Sequence, residues 1–195
     1  MTVSIAVSPQ AKRHLPGEPG VWVFILGDML IFALFFVVFV YYRAHDVPLF
    51  SHSQSTLSQG FGAFNTFLML TSSWFVALAV QAARTNLGKL SARLFALAFL
   101  CGFGFVVVKF FEYSEKIHAG ITLTTNDFYM YYFVFTGIHL MHVLIGMGVL
   151  AFLCNTSRRA VFNEKNINLL ESGASFWHLV DILWIILFAL LYLIK

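Results

Sequence analysis

Five long apolar runs, separated by short polar stretches, set the pattern along the chain: residues 21–42, 61–83, 92–111, 128–153 and 174–194. A bilayer core of roughly 30 Å needs about 20 apolar residues in helix, so each run predicts one transmembrane span. The cluster Pro16-Gly17-Glu18-Pro19-Gly20 stops any helix before the first run. The Ser- and Gln-rich stretch 51–59 is predicted as a loop between the first and second. Met1 to Gly20 is polar and leads straight into an apolar run, unlike a secretory signal, so the first span is expected to be an uncleaved anchor. The expected architecture is an all-α integral membrane bundle of five transmembrane helices, residues 21–195, behind a polar tail, 1–20.

Composition strengthens this reading. Hydrophobic residues make up 59% of the 195 positions and charged residues 11%, which excludes an ordinary soluble domain. The net charge of +3 does not imply a nucleic-acid partner, because the basic residues sit between the apolar runs. One side of the predicted bundle holds Lys12, Arg13, Arg84, Lys89, Arg158, Arg159 and Lys165, with Arg93 at its edge. The other side has Arg43, Lys116 and Lys195, with Lys109 near a helix end. The positive-inside rule then predicts a cytoplasmic N-terminus, the tail 1–20 included, and a periplasmic C-terminus.

Several features predict packing rather than chemistry. Cys101 and Cys154 lie far apart in apolar context without metal-ligand spacing. Trp22, Trp74, Trp177 and Trp184 are expected mostly near span ends, as aromatic belts require. Gly102, Gly104, Gly137, Gly146 and Gly148 are expected where helices approach closely. No serine or cysteine nucleophile has a base beside it, so no catalytic residue is assigned.

The informative residues are the ionisable ones inside the apolar runs, since each costs roughly 2.5 to 3.5 kcal/mol at mid-helix. They are Asp28, Lys109, Glu112, His139, His142, His178 and Asp181. At about 1.5 Å of rise per residue, Asp28, His142, His178 and Asp181 fall at similar depths in the cytoplasmic half, with His139 nearer the midplane. His139 and His142 share a helix face, as do His178 and Asp181, so one intramembrane polar cluster is expected. Lys109 and Glu112 are expected as an ion pair at the opposite, outer edge, with Glu115 as an alternative partner. The cluster admits three readings: a metal or haem site, a proton or ion path, or a hydrogen-bonded knot joining helices. Di-iron bundles want several glutamates and E-x-x-H pairs, which are missing; the knot needs nothing beyond the residues present.

Five segments carry a resemblance. FILGDMLIFALFF from Phe24, AFNTFLMLTSS from Ala63, KFFEY from Lys109, FTGIHLMHVLIG from Phe135 and ESGASFWHLVDILWIILF from Glu171 resemble, in order, the subunit III family of haem-copper oxidases. The likeness spans residues 20–194, and T-G-x-H-x-x-H-V-x-x-G followed by W-H-x-x-D-x-x-W is a specific combination. The resemblance implies a non-catalytic accessory subunit that itself carries no haem, copper or other metal. It also implies packing against a catalytic subunit, phospholipid held in a cleft and support of proton uptake, in a bacterial cytoplasmic membrane. It places Asp28, Glu112, His139, His142, His178 and Asp181 at the family's polar positions.

Three departures stand out: five spans where many members have seven, Asp28 where many have glutamate, and Lys109 where glutamine is common. They bear on the proton-uptake and lipid roles. The Gly27-Asp28-Met29-Leu30 start and the ending Asp181 to Leu193 look most similar to a five-span branch associated with nitric oxide reductase. The alternatives are subunit III of a cytochrome c or quinol oxidase and, from another class, an independent proton or ion transporter.

Overall fold

The computed structural model describes residues 17–159 and 163–194; most of the expected polar tail, 1–16, lies outside the described residues. The elements are α1 (Pro19–His45), α2 (Val47–Ser55), α3 (Gln59–Arg84), α4 (Gly88–His118), α5 (Asp127–Arg159) and α6 (Glu164–Phe188), then a π-helical turn, Ala189–Leu193. Among the described residues there is no strand, and five helices are long and apolar enough to cross a membrane.

The helices outrun the apolar stretches. α4 continues seven residues beyond the predicted end at 111, and α6 begins ten residues before the predicted start at 174. Hydropathy marks where a bilayer would lie, whereas a helix runs on through Lys, Glu and Asn until its backbone meets a stop. Those stops are explicit. At the end of α3, Asn86 takes a left-handed φ of 59° and Leu87 N–H closes on the Ala82 carbonyl at 2.9 Å. At the end of α4, Gly120 does the same at φ 76°, with Ile121 N–H on the Lys116 carbonyl at 3.0 Å.

The stretch 51–59 is not wholly loop. Asp46 caps a short helix by accepting from Leu49 N–H at 3.2 Å, and Pro48 stands in its first turn. α2 exists because it seats Phe50 against Phe39 and Phe128.

α3, α4, α5 and α6 pack as a four-helix bundle with α6 the most enclosed, and α1 leans on the outside against α5 and α6. Aromatic rings form much of the α1 seam: Phe35 stacks on Phe135 at 5.8 Å, and Phe39 meets Phe135 at 6.0 Å. At one end Gly17 and Glu18 N–H donate to Glu171 Oε2 (3.1 Å) and Ser172 Oγ (2.9 Å). Arg84 reaches the other Glu171 oxygen at 2.8 Å. This carboxylate therefore ties α1, α3 and α6 together. At the far end Arg43 donates to the Ile194 carbonyl at 2.7 Å.

Trp177 and Trp184 are not belt residues; both are fully buried. Trp177 lies between α4 and α5 because Gly102 and Gly146 leave room for it. A Cβ on Gly146 would stand 2.7 Å from the indole, and one on Gly102 2.9 Å. Its N–H donates to Ser72 Oγ at 3.1 Å, and that hydroxyl donates to the Ala98 carbonyl at 2.8 Å. Gly137 and Gly148, also expected at close approaches, face open space: among the described residues nothing lies within 4 Å of where a Cβ would stand.

Candidate functional site

The ionisable residues occupy separate centres between the helices. Lys109 and Glu112, each 1% exposed, form the most enclosed one. Lys109 Nζ donates to Glu112 Oε2 at 2.8 Å and to Tyr192 OH at 2.9 Å, and Tyr192 OH donates to Glu112 Oε1. Three groups thus satisfy one another in a closed triangle. The ammonium also lies 4.7 Å from the Trp184 ring centroid and 5.4 Å from that of Tyr132. The pair is enclosed between helices rather than turned to the outside of the bundle. Because α4 runs on to His118, Glu112 lies about 9 Å, and Lys109 about 13 Å, inside its end.

The second centre joins α1 to α5. His142 Nδ1 lies 2.9 Å from the Ile138 carbonyl, and Nε2 lies 3.2 Å from Asp28 Oδ1. A carbonyl only accepts, so Nδ1 carries a hydrogen. In the neutral imidazole Nε2 would then be a bare lone pair facing a carboxylate oxygen. A hydrogen bond across this contact needs a hydrogen between Nε2 and Oδ1.

This argument predicts the response to substitution. Asp28→Asn can turn its amide N–H toward Nε2 and should change stability by less than about 1 kcal/mol, whereas Asp28→Ala strands the ring nitrogen and should cost about 1 to 3 kcal/mol. Thermal unfolding in detergent reads both. Equal losses from the two variants would contradict a bond of this kind.

The third centre joins α6 to α3. His178 Nδ1 and Ser73 Oγ are 2.6 Å apart, and Asp181, one turn further along α6, is buried without a hydrogen bond to either among the described residues. Asp181 Oδ1 is buried without a partner among the described residues. His139 stands apart from all three. It is fully buried, neither ring nitrogen has a hydrogen-bond partner among the described residues, and its ring lies edge-on to Phe105 at 5.6 Å and beside Trp184 at 5.4 Å.

The structure therefore brings Asp28 to His142, Lys109 to Glu112 and His178 to Ser73, and joins Asp181 to none of them by a hydrogen bond among the described residues. No hydrogen bond or ion pair among the described residues links the Asp28–His142 pair to His178 or Asp181. The two contacts lie on different faces of the bundle, one joining α1 to α5 and the other α6 to α3. Sequence reasoning passed over Ser73, Glu171 and Tyr192. Ser73 and Glu171 lie inside quoted motifs, and the signal for each was a polar group in or beside an apolar run.

No three His, Cys, Asp or Glu side chains among the described residues converge as a metal site. Fold and centres together define a multi-pass helical membrane protein in which several of the buried polar groups join its own helices. The chain belongs to the cytochrome c oxidase subunit III family, whose profile matches residues 17–195.

Similar proteins include cytochrome c oxidase subunit 3 of Bacillus sp. (strain PS3), 27% identical over 95% of this chain and 91% of that one. Cytochrome bo(3) ubiquinol oxidase subunit 3 of Buchnera aphidicola subsp. Schizaphis graminum is 28% identical over 89% and 92%. The probable quinol oxidase subunit 3 of Staphylococcus saprophyticus is 24% identical over 90% and 87%. All three are oxidase subunits by name, and the nitric oxide reductase branch expected from the first and last motifs gains no support from them.

Proposed function

We propose that the chain is a non-catalytic accessory subunit of a bacterial terminal oxidase of the haem-copper superfamily. In this reading it sits in the cytoplasmic membrane with its N-terminus in the cytoplasm and its C-terminus outside. The observation that carries the proposal is the family match across all five spans. The internal pairing of Asp28 with His142, and of Lys109 with Glu112 and Tyr192, supports it, since side chains that satisfy one another brace a bundle rather than turn over a substrate. The relatives divide between cytochrome c and quinol oxidases, and the proposal is the class common to both. Phospholipid is the expected occupant of a groove of about 490 Å³ between α1, α5 and α6, lined by Val21, Phe24, Phe152, Leu153 and Phe176.

The test is gentle solubilisation with a tag on this chain. A haem-bearing subunit that consumes oxygen should co-purify. Recovery of a colourless chain alone, or of a partner that reduces nitric oxide and not oxygen, would overturn the proposal. Proton flux through the isolated chain in liposomes would favour the transporter alternative instead.

A further inference from the structure

We infer that the groove between α3 and α6 seats a transmembrane helix of the catalytic subunit, one that offers a hydrogen-bonding side chain at the depth of His178. This rests on the reading above and names the surface through which that reading would act.

The groove holds about 430 Å³ and is lined from α3 by Ala77, Gln81 and Arg84 and from α6 by Ala174, Ser175 and His178. Its polarity follows from the packing of α6. Trp177 points inward between Gly102 and Gly146, and the next residue lies about 100° further round the helix, since an α-helix has 3.6 residues per turn. His178 is thereby turned to α3, where Nδ1 meets Ser73. The Arg84–Glu171 pair closes the groove at one end. Counting from it, His178 lies about 10 Å along α6, and Ser73 about 16 Å along α3. Half the hydrocarbon thickness is about 15 Å, so these groups face what would be the bilayer interior.

Lipid tails cannot satisfy them. His178 spends one ring nitrogen on Ser73, and no hydrogen bond among the described residues engages the other, the Gln81 amide or the Ser175 hydroxyl. Elsewhere the outward surface is what lipid requires: Val23, Leu26, Leu30 and Leu34 on α1, Leu97, Leu100 and Phe103 on α4. A polar stripe on an otherwise apolar exterior calls for a protein occupant. Ala77 and Ala174 favour a helix in particular, because small residues let two helix backbones approach closely.

The experiment places a photo-crosslinking residue at Ala77 or Ser175 in the tagged complex, with Leu100 and Phe103 as controls. The groove positions should give adducts with the catalytic subunit, and the controls adducts with lipid alone. Ala77→Trp should lower recovery of the catalytic subunit at least about tenfold, with the melting temperature of the isolated chain unchanged. Groove adducts with lipid only, or with a second copy of this chain, while the catalytic subunit still co-purifies, would overturn the inference and leave the accessory reading intact. Failure of the unmodified chain to co-purify any catalytic subunit would overturn both.

Discussion

Lys109→Met with Glu112 left in place is expected to cost about 3 to 5 kcal/mol of stability, the range for breaking a buried ion pair from one side. The magnitude follows from enclosure. Both side chains are 1% exposed, and after the substitution the Glu112 carboxylate keeps one neutral donor, Tyr192 OH, while the rings of Tyr113, Tyr132 and Trp184 that surrounded the ammonium offer no charge in its place. Combining Lys109→Met with Glu112→Gln removes both charges and should recover most of the loss. Unfolding of the four proteins in detergent gives the coupling directly. Additive losses, or a single variant within about 1 kcal/mol of the parent, would refute the assignment.

Trp177→Ala should cost about 3 kcal/mol, the low end for removing a large buried ring. The low end applies because separated helices would keep residue 177 in an apolar medium, so the transfer contribution shrinks and lost packing remains. The ring fills the space that Gly102 and Gly146 leave open and donates to Ser72, so no neighbouring side chain is placed to replace it. Trp177→Phe should recover part of the packing and none of the hydrogen bond. Melting temperatures in one detergent would check the order parent, Phe, Ala; an Ala variant as stable as the parent would show that the site collapses without it.

What was legible and what was not divides along a physical line. The Lys109–Glu112 pair was readable because three residues on one helix are neighbours wherever the helix packs. Its enclosure was not, because that depends on Tyr192, 83 residues from Lys109. His139 and His142 were read as sharing a face, yet three residues is 300° of turn, which leaves their directions about 60° apart. In a packed bundle that is enough to give His142 to Asp28 on α1 and His139 to Phe105 and Trp184. The comparison with relatives moved the functional reading in the same way: the family was carried by five motifs, whereas the branch rested on short similarities at the first and last of them.

The amino-acid sequence by itself determined the five long apolar runs and the place of each polar residue along them. Place along a helix is a one-dimensional count: Asp28 lies nine residues beyond Pro19, the first of α1, and Asp181 ten beyond Glu171, so they fall about 14 and 15 Å along from those residues. Only the tertiary structure decided direction. Once Trp177 is turned inward between two glycines, His178 faces Ser73 and the outer groove, on a different side of the bundle from Asp28 and His142. Rotation of a helix about its axis is set by which large side chain finds room against its neighbours, and that depends on several helices at once.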